Sequence, residues 1–343
     1  MARRSSSFLN QLAAGFAAAE VALGDGVLLA VSGGADSIAL LHSTVELWGR
    51  KSSSIVVGHV NHNLRGVESQ RDEEFVGEVA ADLGVRFQSI RLETGQLSDQ
   101  PKVTLEEAAR NSRYNWLTKL AVELGTSFVV TAHHADDQAE TVLHNIVRGA
   151  GLRGLRGMRS SRKLPDERTL IRPMLGIHRV EIDAFLDRGG CEFRFDPSNL
   201  ECQFTRNKIR QDLLPLLQAE FNPQVVKNLN SLSLIADETA EFIEQIAEEL
   251  ISESIHHHDS TSCRLNVAPF LKWPSVVIRQ SLILLWDRLN WPRKKMTSRH
   301  WKQLADLTLA ATNSEFDLPG FVHAERSGTL LRLTRKTDSS LRR

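Results

Sequence analysis

One stretch constrains the fold more than any other. The apolar run Val27 to Val31 leads directly into Ser32-Gly33-Gly34-Ala35-Asp36-Ser37, and that loop opens a helical pattern. Strand, glycine turn and helix in that order build an anion site. Gly33 and Gly34 let the backbone turn with its amides pointing inward, and the helix start adds free N–H donors and a partial positive charge. Ser32 and Ser37 are placed to donate to the same phosphate oxygens. Asp36 would repel a phosphate unless a cation lay between them, so its presence implies Mg2+. The ordinary alternative is a Gly-Gly turn that merely opens a helix. Two rival phosphate signatures fail on inspection. No Gly-Lys pair occurs, which removes the Walker pattern, and the GxGxxG match at Gly149 to Gly154 follows a helix, so it reads as a basic turn.

The rest of the first half repeats this alternation. Strands are expected at Val27 to Val31, Ile55 to His59, Phe87 to Arg91 and Phe128 to Thr131. Helices are expected at Asp36 to Leu47, Ser69 to Leu83, Leu105 to Leu124 (with a capping box at Thr104 and Glu107) and Asp136 to Arg148. β-Branched runs separated by amphipathic helices predict an α/β fold with a doubly wound, mostly parallel sheet. The first residues form an amphipathic helix with Phe8, Leu9, Leu12, Phe16 and Leu23 on one face, not a targeting segment. At Asn222 the pattern changes to a long helix, Val225 to about Ser254. The expected division is therefore residues 1–221 as the catalytic domain and 222–343 as a mainly helical domain. In the latter, His256 to His258 read as a polar linker, followed by helices at Val276 to Leu289 and Ser298 to Leu309 and a strand pair near Glu315 to Leu318 and Thr329 to Leu333.

Composition excludes several classes. No apolar run approaches the roughly 20 residues of a membrane helix. Three cysteines, Cys191, Cys202 and Cys263, lack CxxC spacing, which argues against a disulfide framework, a zinc ribbon or a sulfur-relay pair and for a cytoplasmic setting. The 42 basic and 42 acidic residues cancel overall but not locally. Residues 148–179 hold nine Lys/Arg against two acids, residues 272–302 hold eight against one, and residues 237–253 hold seven acids and no base. Such runs are ordinary solvated surface, but two basic stretches beside a phosphate loop point to a polyanionic partner.

Two further motifs leave strands at the same sheet edge: His59-Val60-Asn61-His62-Asn63-Leu64-Arg65 after the second, and His133-His134-Ala135-Asp136-Asp137-Gln138-Ala139-Glu140-Thr141 after the fourth. Ligands of open parallel sheets bind beyond the carboxyl ends of the strands. With Glu106 to Tyr114 and the stretch Asp196-Pro197-Ser198-Asn199 through Arg206-Asn207-Lys208-Ile209-Arg210, these segments resemble the PP-loop ATP pyrophosphatases, and among them the tRNA(Ile)-lysidine synthetase family. The resemblance is dense from Val27 to about Pro215. Asn63 stands where that family often has Gly, and the stretch Arg159 to Arg168 is longer and more basic than usual. A further C-terminal domain carried by some members is not expected here.

The resemblance implies an enzyme that adenylates the C2 oxygen of the wobble cytidine in a tRNA(Ile) with a CAU anticodon, releasing pyrophosphate. Free L-lysine then displaces AMP. It implies ATP as co-substrate on Ser32 to Ser37, Mg2+ on Asp36 and Asp137, and lysine on Asp136, Asp137 and Glu140. Asp36, His133, Asp137, Arg110 and Arg113 are the candidate catalytic residues. The attacking amine has an ordinary pKa of about 10.4, so either a base accepts its proton or the pocket lowers that pKa. His133 is the candidate base, with a satisfied structural histidine as the alternative. Arg110 and Arg113 share a helix face that could clamp a phosphate or the activated base, although surface arginines on such a helix are common. Arg65, Arg153, Arg156, Arg206, Lys208 and Arg210 are expected to face tRNA. A homodimer is compatible with all of this. The competing readings are a tRNA thiolase, disfavoured by the scattered cysteines, and a catalytically silent tRNA-binding protein, disfavoured by the intact acids.

Overall fold

The computed structural model describes residues 2–63, 66–92, 105–195 and 205–336. Thr104, Arg65, Cys202 and the Asp196 to Asn199 motif lie outside them. The chain divides into two compact units, residues 1–235 and 236–343. The division falls inside the long helix Val225–Ser254, whereas the change of sequence pattern placed it at Asn222.

The first unit is built on a six-stranded sheet: β1 (Val27–Ala30), β2 (Ile55–Asn61), β3 (Arg86–Arg91), β4 (Phe128–Val130), β5 (Ser161–Lys163) and β6 (Thr169–Ile171). Their order is β3-β2-β1-β4-β6-β5, parallel throughout except where β5 pairs antiparallel with β6. Side chains alternate across the sheet, so the central strands feed two cores. Val27, Leu29, Ile55 and Val57 pack with Phe8, Leu12 and Phe16 of the helix Ala2–Ala18 and with the helices Ala35–Trp48 and Arg179–Gly189. Leu28, Val56, Val129 and Leu170 pack against Leu117, Leu120 and Ala121 of the helix Leu105–Glu123. Leu23, expected on the first helix, lies beyond its end and is exposed.

Chain direction across the sheet changes at β1. The chain runs outward from β1 through β2 to β3, then returns to place β4 on the other flank of β1. Loops leaving β1 and β4 therefore diverge to opposite sides and open a crevice between them, the place where doubly wound sheets bind ligands.

The stretch Arg159 to Arg168 contains the edge strand β5 and the turn to β6. Asp166 and Glu167 both adopt positive φ, at 56° and 58°. Two successive left-handed residues are what a tight hairpin turn needs.

The second unit holds helices Ser275–Arg288 and Ser298–Leu309 and a five-stranded antiparallel sheet. Its strands are β7 (Ile255–His258), β8 (Ser262–Asn266), β9 (Ser314–Leu318), β10 (Val322–Ser327) and β11 (Leu330–Arg335). The unit is thus less purely helical than expected, and the three histidines are a strand, not a linker. Its core centres on Trp286, with Trp291 and Trp301 edge-on at 5.0 and 5.3 Å. No helix among the described residues is long and apolar enough to cross a membrane.

Candidate active site

The loop after β1 is held open from within. Gly33 has φ 93°, a conformation that favours glycine, and an added Cβ would press to 3.3 Å on Val76 Cγ2. Ser37 Oγ accepts from the Ser32 and Gly33 amides, both at 3.2 Å, and donates to Gly34 O at 2.8 Å. Ser32 Oγ lies 3.2 Å from the same oxygen, so Ser37 also shapes the loop from within. The Arg194 amide donates to Gly33 O at 2.9 Å, and the Arg194 side chain is anchored on Asp72 and Glu68 of the helix Val67–Asp82. Because the Gly34 N–H lies opposite the Gly33 carbonyl across a trans peptide, this bond turns that amide away from Arg194. Ala35, Asp36 and Ser37 then form the first turn of the helix Ala35–Trp48.

Facing this loop across the crevice, the helix Ala135–Val147 starts directly after β4. His134 lies between acids from both loops. Its Nε2 is 3.4 Å from Asp137 Oδ2 and 3.6 Å from Asp36 Oδ1, and its Nδ1 is 3.6 Å from Asp136 Oδ2. Burial alone would lower its pKa, but the nearby carboxylates of Asp136, Asp36 and Asp137 override this and hold it up at about 10. Nδ1 also accepts the Asp136 backbone N–H at 3.3 Å, the N-cap bond of the helix, so a second proton on the ring would have to displace that bond. Desolvation would raise Asp137 in turn, but His134, Arg210 and Arg206 keep its carboxyl below the usual range.

His133 points into a different field. Its Nδ1 bonds Thr131 Oγ1 at 2.9 Å, and burial, opposed by Asp137 and reinforced by Arg172, Arg113 and Arg110, lowers its pKa to about 3. Such an imidazole is neutral and a weak base, so the proton-acceptor role expected of it is poorly served. Arg110 and Arg113 both stack on the Tyr114 ring at 5.4 Å, and Arg162 joins them at 5.5 Å. His133 thus lies near a guanidinium cluster, whereas His134 lies among carboxylates.

The remaining motif residues buttress this arrangement. His59 is buried and its Nδ1 bonds Val31 O at 2.9 Å, tying the end of β2 to the end of β1. Asn63 has φ 51°, and its amide donates to Asn61 Oδ1 at 2.8 Å. The left-handed backbone explains why Gly suits this position and why Asn is a mild replacement.

Several expected roles change once the contacts are visible. Glu140 is 2 % exposed, and Arg210 grips it through Nε and Nη2 while Arg206 Nε lies 3.2 Å away. Arg210 Nη2 also reaches Asp137 Oδ1 at 2.7 Å. Arg206 and Arg210 therefore pair with the acids, their side chains still 36 % and 43 % exposed, and Glu140 is neutralised by them. Lys208, between them, is exposed. Arg156 is buried, and its carbonyl is held by Gln138 Nε2 at 3.0 Å, while Arg153 and Arg159 are exposed. Arg179, absent from every motif, donates to Asp36 Oδ1 at 2.9 Å. Only its position in a basic stretch could have flagged it.

Among the described residues no three His, Cys, Asp or Glu side chains form a ready metal-holding set. Mg2+ does not require one. It commonly takes one or two carboxylates and completes its shell with water and phosphate oxygens. Asp36 and Asp137, hard oxygen donors that both approach His134 Nε2, fit that pattern.

A parallel sheet that presents a glycine loop and a helix with two acids in its first turn at its switch point defines an α/β nucleotide-loop domain. The chain belongs to the PP-loop family, whose domain model matches residues 5–217. It is 40 % identical over 225 residues to a tRNA(Ile)-lysidine synthase of Bacteroides thetaiotaomicron, covering 66 % of this chain and 50 % of that one. The corresponding protein of Chlorobaculum tepidum is 40 % identical over 65 % of this chain and 66 % of its own length. That of Clostridium tetani is 29 % identical over 88 % and 63 %. The chain thus spans about half to two-thirds of the length of these relatives. A U34-tRNA thiolase of Methanococcus maripaludis shares the fold, with a TM-score of 0.58 at 16 % identity over 69 % of this chain and 81 % of its own.

Proposed function

We propose that this chain ligates free L-lysine to C2 of the wobble cytidine of a CAU-anticodon tRNA(Ile), consuming ATP to AMP and pyrophosphate through an adenylated tRNA. The observation that carries this reading is the meeting of the phosphate loop and the Asp136 to Glu140 acids at one switch point, which puts a pyrophosphate grip beside a cation pocket. The names of the curated relatives support the choice of substrates.

In the first step the C2 oxygen attacks the α-phosphorus and pyrophosphate leaves. The loop amides and the start of the helix Ala35–Trp48 stabilise the charge that grows on the leaving group. Asp36 and Asp137 would hold Mg2+, which would supply charge neutralisation on the phosphate oxygens. In the second step the lysine amine attacks C2, and the C2 oxygen departs with AMP. Asp136 and Asp137 receive the cationic substrate, while Glu140 acts one layer back by fixing Arg206 and Arg210. Those guanidiniums offset the acids' tendency to keep the amine protonated. His133 stays neutral as a hydrogen-bonding group. Arg110 and Arg113 supply the positive wall for phosphate or base, and exposed Arg153, Arg159 and Lys208 supply contacts to the tRNA backbone.

A thiolase reading finds no cysteine pair among the described residues, where Cys191 and Cys263 are free thiols in separate units. The direct test is incubation with ATP, Mg2+, labelled lysine and a CAU-anticodon tRNA transcript. Label enters the RNA only when all components are present. Entry of sulfur or another amine in place of lysine would sink the proposal.

A further inference from the structure

Arg179 opens the helix Arg179–Gly189 and bridges acids from both active-site loops. Its backbone N–H donates to Asp136 Oδ2 at 2.9 Å, its Nη1 to Asp36 Oδ1 at 2.9 Å and its Nε to Asp183 Oδ1 at 2.8 Å. The guanidinium and the Asp36 carboxylate are 39 % and 33 % exposed, so water reaches the pair. Ion pairs in that setting contribute little net stability and exchange partners readily.

Two demands meet at Asp36. A bare carboxylate in the loop repels an incoming polyphosphate, and Arg179 cancels that repulsion. A divalent cation arriving with the polyphosphate needs the same carboxylate oxygen. We propose that Arg179 is a displaceable counter-ion of Asp36, neutralising it while the loop is metal-free and yielding it when Mg2+ binds with a pyrophosphate group. This rests on the reading of the Ser32 to Ser37 loop as a phosphate site. It makes Arg179 a positioning residue that acts through Asp36.

Groups competing for one carboxylate weaken each other reciprocally, which gives the proposal an unusual signature. Arg179→Gln weakens metal-free pyrophosphate binding while lowering the Mg2+ concentration needed for half-saturation, each by about fivefold or more. A residue that merely supported the fold would move both affinities in the unfavourable direction. Arg179→Lys retains the charge and returns both constants towards the original. Asp183→Ala removes the anchor of Nε, leaves the helix start intact, and shifts both constants as Gln does by a smaller factor.

The experiment is isothermal titration of inorganic pyrophosphate into the full chain and its variants in chelator, followed by Mg2+ titration at saturating pyrophosphate. Opposite shifts in the two affinities are expected. Parallel weakening, or no change in either, overturns the role of Arg179. If the unsubstituted chain binds no pyrophosphate with or without Mg2+, the phosphate-loop reading falls first and the proposal falls with it.

Discussion

His134 is bordered by Asp36, Asp136 and Asp137, which hold its proton far above the ordinary histidine range, at about 10. The folded pKa exceeds the unfolded value of 6.5, so the stability this charge contributes is complete below about pH 6.5 and is lost as pH rises towards 10. His134→Gln should therefore cost most stability near pH 6 and progressively less towards pH 10, measured by denaturant unfolding across that window. A penalty that did not vary with pH would mean the ring is not charged. At Gly33 the constraint is conformational. Gly33→Ala must hold φ near 93° and push on Val76, which should cost about 2 kcal/mol in unfolding free energy and weaken pyrophosphate binding. Asp36, Asp137 and the loop serines stand out in the sequence because their spacing is local. Arg179 and the internal use of Arg206 and Arg210 do not, because each depends on contacts spanning 66 to 143 residues.

At the level of elements, the segment Thr205–Phe221 delivers Arg206 and Arg210 to the acids. Its wide five-residue turns, Ile209–Leu213 and Leu217–Phe221, lie on either side of Pro215, which has no amide to donate. Arg210→Ala would leave buried Glu140 with Arg206 alone and should destabilise the first unit by about 3 kcal/mol, readable by chemical denaturation. A change near zero would show that water already solvates Glu140. Neutralising Arg153 and Arg159 together should weaken tRNA binding and flatten its dependence on salt, with a loss of up to about 1.8 in the log–log slope for two phosphate contacts. Arg156 is left out of this test because its burial would confound it. β1, β2 and β4 are legible because buried apolar runs alternate with amphipathic helices, whereas β3, Arg86–Arg91, has no buried residue. β5 and β6 are three residues each, bounded by charge and a tight turn, and carry no such signal. β7 reads Ile-His-His-His and becomes a strand by pairing with β8, a tertiary cause that local pattern does not encode.

Over the whole molecule, zero net charge is compatible with strongly charged regions, and the acids and arginines of the crevice belong to the first unit. The doubly wound architecture is readable from the first 150 residues, whereas of the second unit's five strands only β9 and β11 are, and they pair with β10 between them and not with each other; β7, β8 and β10 are short and leave about half their side chains in water. The central claim is that the loop Ser32 to Ser37 grips a departing pyrophosphate, so that ATP is cut between its α and β phosphates. The most direct measurement follows α-labelled ATP incubated with the full chain, Mg2+, lysine and a CAU-anticodon tRNA. Label should be recovered as AMP in amounts matching the lysine incorporated, with pyrophosphate as the other product and none formed by Asp36→Ala. Recovery of the label as ADP, with orthophosphate released, would contradict the account.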